Sequence, residues 1–190
     1  MRADNSVISI KNMTMTAVFA AVLCVTAPFS IPVGPIPLSL ATFVIYLASA
    51  TLGWKYGTLS VAIYILIGAV GVPVFSGFQG GFHRIVGVTG GYIIGYIPLA
   101  IATGIAADRL AALSPNSAIK KNKISQAAIL AAGMIVGTLL LYTIGTAWFM
   151  FQTNNTLTAS LALCVIPFLP GDAIKIFGAC LIAPKMRVRG

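Results

Sequence analysis

Three charged residues stand out because they interrupt apolar or glycine-rich sequence: Arg84, Asp172 and Lys175. Asp172 and Lys175 are three residues apart at the start of a predicted helix, so they share one face of it and lie within reach of each other. The pair either forms an internal salt bridge that holds its helix to a neighbour or binds a ligand. Arg84 adds a second cation, and an unpaired buried cation favours an anionic ligand such as a carboxylate or phosphate.

The segment Pro73–Val88 contains two further polar candidates and four glycines. Gln79 either hydrogen-bonds a ligand or is an exposed loop residue. His83 is the single histidine of the chain, and one histidine with three scattered aspartates has the wrong spacing for a metal site. The glycines are not followed by the Gly-Lys-Ser/Thr of a phosphate-binding loop. Because no catalytic set is present either, we expect no enzyme activity, no metal and no cofactor.

Other residue types suggest contacts rather than chemistry. Tyr92 follows two glycines and either stacks on a ligand or belongs to a belt of interfacial aromatics, and for Tyr46 the belt is the expected place. Ala17 and Ala21 are four residues apart on the first predicted helix. Small residues at that spacing let another helix approach closely, from a partner protein or within the same bundle.

The elements that position these residues follow from composition. The chain has 190 residues, of which 58% are hydrophobic and 8% charged, with a mean hydropathy of +0.99. A soluble domain carries about 25% charged residues, so the chain is predicted to be an all-α integral membrane protein. Runs of about 20 apolar residues span a membrane, and six fit in this length. The predicted single bundle has transmembrane helices at residues 10–27, 38–52, 58–72, 90–107, 126–149 and 171–184.

Two of the connections have predictable structure. The segment Pro28–Pro37 has four prolines in ten residues and is therefore not a regular helix. A glycine-bounded turn is expected at residues 53–57, between the second and third spans. The segment Pro73–Val88 is too irregular to face lipid, where each unpaired backbone group costs several kcal/mol, so it must lie at the surface or line a cavity.

The distribution of charge predicts orientation. The formal net charge of +9 would suggest nucleic acid as a partner of a soluble protein, but Lys and Arg here mark the cytoplasmic side of a membrane protein. With six spans and both termini cytoplasmic, only Arg84 and Lys175 fall on the external side. The other ten of the 12 basic residues then lie inside: Arg2, Lys11, Lys55, Arg109, Lys120, Lys121, Lys123, Lys185, Arg187 and Arg189.

Three segments together resemble the BioY family, the biotin-specific substrate-binding (S) components of energy-coupling factor (ECF) transporters. They are Pro35-Ile-Pro-Leu-Ser39, Gly71-Val-Pro-Val-Phe-Ser-Gly-Phe-Gln-Gly-Gly81 with Thr89-Gly-Gly-Tyr92, and Pro167-Phe-Leu-Pro-Gly-Asp-Ala-Ile-Lys175. The resemblance covers about residues 10 to 184. The chain departs from the family at Val88, where proline is expected, and at Ser39-Leu-Ala41, where many relatives carry a polar residue.

The resemblance implies a plasma-membrane protein, of bacterial type, that captures biotin outside the cell and works with a transmembrane coupling subunit and two cytoplasmic ATPases. It places Asp172 and Lys175 at family binding positions, with Arg84 and Gln79 in a binding loop. Ala17 and Ala21 resemble the motif by which S components dock on the coupling subunit. Phe75, Phe78, Phe82 and Tyr92 are expected to cover the apolar body of biotin.

Three other functions stay open at the level of sequence. A stand-alone secondary transporter for a small anionic solute would need a route for a coupling ion, and only Asp172 lies plausibly at membrane depth. An integral-membrane enzyme would need a catalytic set. A purely structural subunit would leave Arg84, Asp172 and Lys175 without a function.

Overall fold

The computed structural model describes residues 10–32, 35–113 and 122–186. Several basic residues of the predicted cytoplasmic side lie outside these ranges: Arg2, Lys120, Lys121, Arg187 and Arg189. Within the described residues the chain is mostly helical, as predicted. The helices are α1 (Ile10–Thr26), α2 (Ala41–Ala69), α3 (Phe82–Val86), α4 (Gly90–Ala112), α5 (Lys123–Thr153), α6 (Leu157–Cys164) and α7 (Leu169–Met186).

Four helical stretches of the described chain are long and apolar enough to cross a membrane. They are Ala41–Ala69, Gly90–Ala112, Lys123–Thr153 and Leu157–Pro184, and the 17-residue α1 is a shorter apolar helix. The prediction of a helical membrane protein is confirmed to this extent. In Leu157–Pro184, α6 joins α7 through a 3-10 turn at Ile166–Phe168.

Helix α2 is divided at Gly53 into two arms that fold back on each other. Gly53 has φ 79° and ψ −178°, a conformation that is essentially restricted to glycine. A Cβ built on Gly57 would lie 2.6 Å from Cα of Ser49, although residues eight apart in a continuous helix are separated by about 12 Å. The predicted five-residue turn at 53–57 is therefore wrong in length, because the reversal needs only Gly53.

The Gly53 turn is held by Asp108 at the end of α4. The carboxylate Oδ2 of Asp108 accepts a hydrogen bond of 3.0 Å from the backbone N–H of Trp54, which begins the second arm. A side chain at position 53 would occupy the place of the Asp108 carboxylate. The turn thus depends on two properties of glycine, its backbone freedom and its lack of a Cβ.

We therefore expect Gly53→Ala to lower the free energy of unfolding of the purified protein by roughly 1–3 kcal/mol, and with it the melting temperature. The matched control is Gly71→Ala, since Gly71 has φ 116° but nothing within 4 Å of a built Cβ. Melting curves of both variants in one detergent measure the difference. Equal melting temperatures for the two variants would show that the contact with Asp108 has no effect.

The proline-rich segment between α1 and α2 forms a short antiparallel ladder rather than a helix. Strand β1 (Ser30–Pro32) pairs with β2 (Pro37–Ser39), with Ile31 opposite Leu38. Ser39 ends the ladder and begins α2: its hydroxyl donates to the carbonyl of Ala27 at 2.9 Å and accepts from the backbone N–H of Ala41 at 3.0 Å. These bonds fix β2 against the end of α1.

The glycine-rich segment before α4 is tied down by backbone bonds at both ends. Phe75 and Gln79 exchange backbone hydrogen bonds of 2.8 and 3.2 Å, and the N–H of Gly81 donates to Gly68 O at 2.7 Å. Helix α5 holds the far end, where Trp148 Nε1 donates to Gly87 O at 2.9 Å. The irregular backbone predicted for this segment is therefore present, interrupted by the five-residue α3.

Helix α4 lies between α2 and α5, and the core forms along these two contacts. Its fully buried members include Tyr46, Tyr64, Leu99 and Met134. Tyr46 was expected in an interfacial belt, and that expectation is wrong. Its ring is fully buried and its hydroxyl is 2.6 Å from Thr138 Oγ1, a hydrogen bond between α2 and α5.

Candidate functional site

Asp172 and Lys175 form an ion pair in the first two turns of α7. Lys175 Nζ lies 3.0 Å from Asp172 Oδ1, and the two side chains are only 11% and 7% exposed. Helix α7 starts directly after the 3-10 turn at Ile166–Phe168, so the pair comes at the end of an irregular segment. The sequence spacing predicted this contact, because residues three apart on a helix are neighbours.

Lys175 has a partner for each of its three N–H donors. Besides Asp172, it donates to the backbone carbonyl of Ser39 at 2.7 Å and to Thr42 Oγ1 at 3.0 Å. An ammonium group has no further donors, so its hydrogen-bonding capacity is used within the protein. The ion pair therefore attaches α7 to the junction of β2 and α2.

Asp172 has a second partner on α5. The hydroxyl of Tyr142 donates to Asp172 Oδ2 at 2.6 Å, and both residues are buried. A carboxylate has about four acceptor positions, and bonds from Tyr142, from Lys175 and, at 3.5 Å, from Thr42 Oγ1 use three of them. The remaining capacity is available to an N–H donor of a ligand.

Two cavities adjoin each other, and the smaller one touches this pair. A chamber of about 40 Å³ touches Asp172, Lys175 and Tyr142, and a larger cavity of about 350 Å³ lies on the side of the glycine-rich segment. The smaller chamber has room for a water molecule but not for a ring system, whereas the larger one is of the size typical of small-molecule sites. The wall between them consists of residues that line both: Ile36, Pro37, Tyr92 and Tyr96.

Arg84 and Gln79 line the larger cavity from the glycine-rich segment. Arg84 is on α3, and among the described residues no hydrogen-bond partner is found for its buried Nε. The two aspartates in the described ranges are engaged elsewhere, Asp108 with Trp54 and Asp172 with Lys175. Among the described residues, the guanidinium group of Arg84 therefore has no carboxylate partner, and it faces the larger cavity.

Tyr92 lines both cavities and is held rigidly. Its hydroxyl is 3.2 Å from Thr146 Oγ1 and 3.4 Å from the carbonyl oxygen of Cys164. Its ring packs against Gly145 of α5, where a Cβ would overlap the ring. Because the hydroxyl is bound within the protein, the ring is the part of Tyr92 that a ligand in the cavity would contact.

The other predicted contact residues divide into those inside the site and those outside it. Phe75 lines the larger cavity, but Phe78 and Phe82 are 60% and 66% exposed and do not line it. The expectation that these two cover a ligand is wrong for this structure, because Phe78 packs edge-on against Phe29 at the surface. His83 is also exposed, and it does not line the larger cavity.

Ala17 and Ala21 lie far from this site in the chain and on the outward face of α1. Both are exposed, whereas Ala20 between them is buried. The predicted strip of small residues thus faces away from the other helices of the bundle.

Some residues of the site had not been predicted from the sequence: Ser39, Thr42, Tyr142, Tyr64 and Tyr96. One signal could have found Tyr142. A polar side chain inside a long apolar helix usually faces protein, and Tyr142 lies near the middle of the most apolar span. The two aromatics of the larger cavity, Tyr64 and Tyr96, have no such local signal.

Comparison with known proteins agrees with this arrangement. Residues 1–189 match the BioY family. The biotin transporter BioY of Thermotoga maritima is 36% identical over 177 residues, covering 93% of this chain and 96% of the relative. The probable biotin transporter BioY of Pyrococcus horikoshii is 34% identical with the same coverage.

A solved structure shares the fold. The crystal structure of the S-component for biotin from an ECF-type ABC transporter superposes with a TM-score of 0.82 at 29% identity, covering 99% of this chain and 96% of that one. The resemblance found in the three sequence segments is therefore confirmed over nearly the whole length. This chain belongs to the BioY family.

Proposed function

We propose that this protein is the biotin-binding S component of an ECF-type uptake transporter, a transport protein and not an enzyme. One observation carries the proposal: in a BioY-family chain, a cavity of about 350 Å³ lies between Arg84, which has no acidic partner among the described residues, and the chamber of the Asp172–Lys175 pair. The biotin transporters among its relatives and the biotin S-component with the same fold support the choice of ligand.

The chemistry of biotin matches the two ends of the site. Its fused ring carries a ureido group with two N–H donors and a carbonyl, and its valerate chain ends in a carboxylate. Asp172 is the acceptor for a ureido N–H, Lys175 is the donor for the ureido oxygen, and Arg84 pairs with the carboxylate. Between them, the rings of Phe75 and Tyr92 contact the apolar chain, and Gln79 supplies a polar contact at the carboxylate end.

Binding requires a local rearrangement, because the 40 Å³ chamber does not admit a ring. Of the four residues that separate the two cavities, Tyr92 and Tyr96 belong to α4, whereas Ile36 and Pro37 belong to the short β ladder and its approach, outside the membrane-type helices. Displacement of Ile36 and Pro37 joins the two cavities. The ureido oxygen of the ligand then replaces the carbonyl oxygen of Ser39 as a hydrogen-bond partner of Lys175. A ligand that stabilises the joined form shifts the protein toward it.

The proposed arrangement in the membrane has six spans and both termini in the cytoplasm. The two arms of α2, joined at Gly53, count as two spans, and α1, α4, α5 and α6–α7 supply the others. The split of ten basic residues to two supports the orientation. The site then opens to the outside of the plasma membrane, where an uptake protein captures its ligand.

This orientation predicts opposite labelling of the two ends of α5. A cysteine at Gln152 should react with an impermeant thiol reagent in intact cells, whereas a cysteine at Asn122 should react only after permeabilisation. Both residues are exposed, so burial does not protect either one. Replacing Cys24, Cys164 and Cys180 by alanine removes background reaction. The reverse labelling pattern would overturn the orientation.

The proposed partners are a transmembrane coupling subunit and a pair of cytoplasmic ATPases. The exposure of Ala17 and Ala21 supports their use as a docking strip, because helices in lipid associate through close backbone approach at small residues. These residues lie seven and eleven positions into α1, in the inner to middle part of the membrane.

Widening the strip should therefore separate capture from transport. In Ala21→Leu, binding of biotin to the solitary protein should be unchanged, while ATP-driven biotin uptake in cells containing the other subunits should fall by at least about fivefold. The control is Ala132→Leu, the same change at an exposed position on α5. Loss of binding in the isolated Ala21 variant would mean that the strip packs within the bundle, and unchanged uptake would mean that it faces lipid.

A further inference from the structure

An apolar groove lies between α5 and α7 and shares no lining residue with the larger cavity. Its volume is about 590 Å³. From α5 it is lined mainly by alanines and branched side chains, and from α7 by larger apolar ones, many of them exposed on the outer surface. The residues are Ile124, Ala127, Ala128, Ala131, Ile135, Thr138, Leu139, Tyr142, Leu169, Asp172, Ala173, Ile176, Phe177 and Cys180.

The two helices run antiparallel along the groove. Tyr142 of α5 bonds Asp172 of α7 at one end, and Cys180 Sγ lies 3.6 Å from the carbonyl oxygen of Ala127 toward the other. Helix α5 covers residues 123 to 153, so the groove extends from the start of that helix to about its middle. In a membrane this corresponds to one leaflet, since the helix is long enough to span the hydrocarbon core of about 30 Å.

The length of the groove suits an extended hydrocarbon chain. From Ile124 to Thr138 the helix rises about 20 Å, and the groove of about 590 Å³ follows this part of α5. A hydrocarbon chain is also the group that lipid presents to this face.

Positive charge lies at the Ile124 end of the groove. Lys123 is exposed beside Ile124, at the N-terminus of the 31-residue α5, where the helix dipole also favours an anion. Asn122 caps this end by accepting the backbone N–H of Ile124 at 2.9 Å. Basic residues at the membrane surface attract anionic headgroups.

At the Asp172 end of the groove, a bound chain would affect a polar contact of the bundle. Asp172 and Tyr142 form part of the wall, so the same carboxylate is in contact with the inner chamber and with the lipid-facing groove. A charged group beside an unfilled groove would draw water to the bond between Tyr142 and Asp172. An apolar chain that fills the groove keeps this wall dry.

We infer that the groove between α5 and α7 binds one anionic phospholipid, with an acyl chain along the alanine side of α5 and the phosphate at Lys123. The inference rests on the groove and its charge and does not depend on the proposed binding of biotin. It assigns a lipid site to a groove that shares only Tyr142 and Asp172 with the chamber of the proposed capture site and that does not include the docking strip at Ala17 and Ala21.

Native mass spectrometry of the detergent-purified protein, titrated with phosphatidylglycerol or phosphatidylcholine, tests the assignment. Ala128→Phe fills the groove and should lower phosphatidylglycerol retention at least about tenfold. Ala132→Phe makes the same change one turn further along α5, outside the groove lining, and should behave like the parent. Lys123→Ala should reduce the preference for phosphatidylglycerol about fivefold, because one lysine near an anionic headgroup contributes about 1 kcal/mol, and Lys11→Ala on α1 is its control.

The contrary outcomes are distinct. Equal retention in the Ala128 and Ala132 variants would place any bound lipid elsewhere on the surface. A change in oligomeric state in Ala128→Phe, without a change in lipid count, would assign the groove to a second copy of the chain. Equal retention of the two lipids by the parent protein would remove the requirement for an anionic headgroup. Each of these results would overturn the inference.

Discussion

Replacing Asp172 by asparagine is expected to weaken biotin binding at least about 30-fold, because the loss of one charged hydrogen bond that also leaves its partner unpaired costs roughly 2–5 kcal/mol. The amide keeps the shape of the side chain but cannot accept from a ureido N–H with a negative charge. It also leaves the buried ammonium of Lys175 without its counter-ion, although Ser39 and Thr42 still accept from it. The variant should therefore remain folded and inserted in the membrane.

Binding of labelled biotin to the purified variants measures this effect, with Lys175→Ala as a second variant at the same pair. The matched control is Asp108→Asn, which changes the other aspartate of the described chain and affects the Gly53 turn. We expect that control to change thermal stability and not biotin affinity. If Asp172→Asn and Lys175→Ala both bind biotin like the parent, the pair is a structural salt bridge between α7 and the start of α2.

Replacing Arg84 by alanine is the second substitution that we expect to weaken biotin binding strongly. A hydrogen bond to a charged group contributes about 1.5–3 kcal/mol, so biotin affinity should fall at least about tenfold. Biotin methyl ester separates the role of Arg84 from a general effect on the site, since it retains the ureido ring and lacks the charged carboxylate. The parent should bind the ester more weakly than biotin, and Arg84→Ala should bind both with similar affinity.

Two further substitutions show whether the loss of affinity is specific to the guanidinium group of Arg84. His83→Ala removes a polar side chain one residue away on the exposed side of α3 and should leave affinity unchanged. Arg84→Lys keeps the charge but not the paired donors of the guanidinium group, so it should restore part of the affinity. If Arg84→Ala still binds biotin more tightly than the ester, the carboxylate contacts another group, and Lys175 is the remaining cation of the site.

Local patterns in the sequence were sufficient for one part of the site. Asp172 and Lys175 could be paired because residues three apart on a helix must be neighbours. Arg84 could be assigned an unmatched charge because the chain has so few carboxylates. Their partners could not be found in this way, since Tyr142 is 30 residues from Asp172, and Thr42 is 133 residues from Lys175. Contacts of that kind depend on how whole helices pack.

Two incorrect predictions, for Gly57 and Tyr46, also arise because helix packing is not encoded by nearby residues. Gly57 was interpreted as part of a turn, but its role is to let the two arms of α2 approach at Ser49 while the backbone stays helical. Tyr46 was expected at the interface, because nothing near it in sequence indicates that Thr138 would bond its hydroxyl inside the core. A single sequence indicates where long apolar helices occur, but it does not identify the residues that face each other across a helix contact.

Equilibrium binding of labelled biotin to the purified chain, without coupling subunit or ATPases, tests the central claim most directly. Two competitors distinguish the ends of the ligand: desthiobiotin retains both the ureido group and the carboxylate, and lipoate retains only the carboxylate and apolar chain. The proposed site predicts saturable binding of one biotin that desthiobiotin displaces and lipoate does not. Absence of saturable binding, or equal displacement by lipoate, would contradict it.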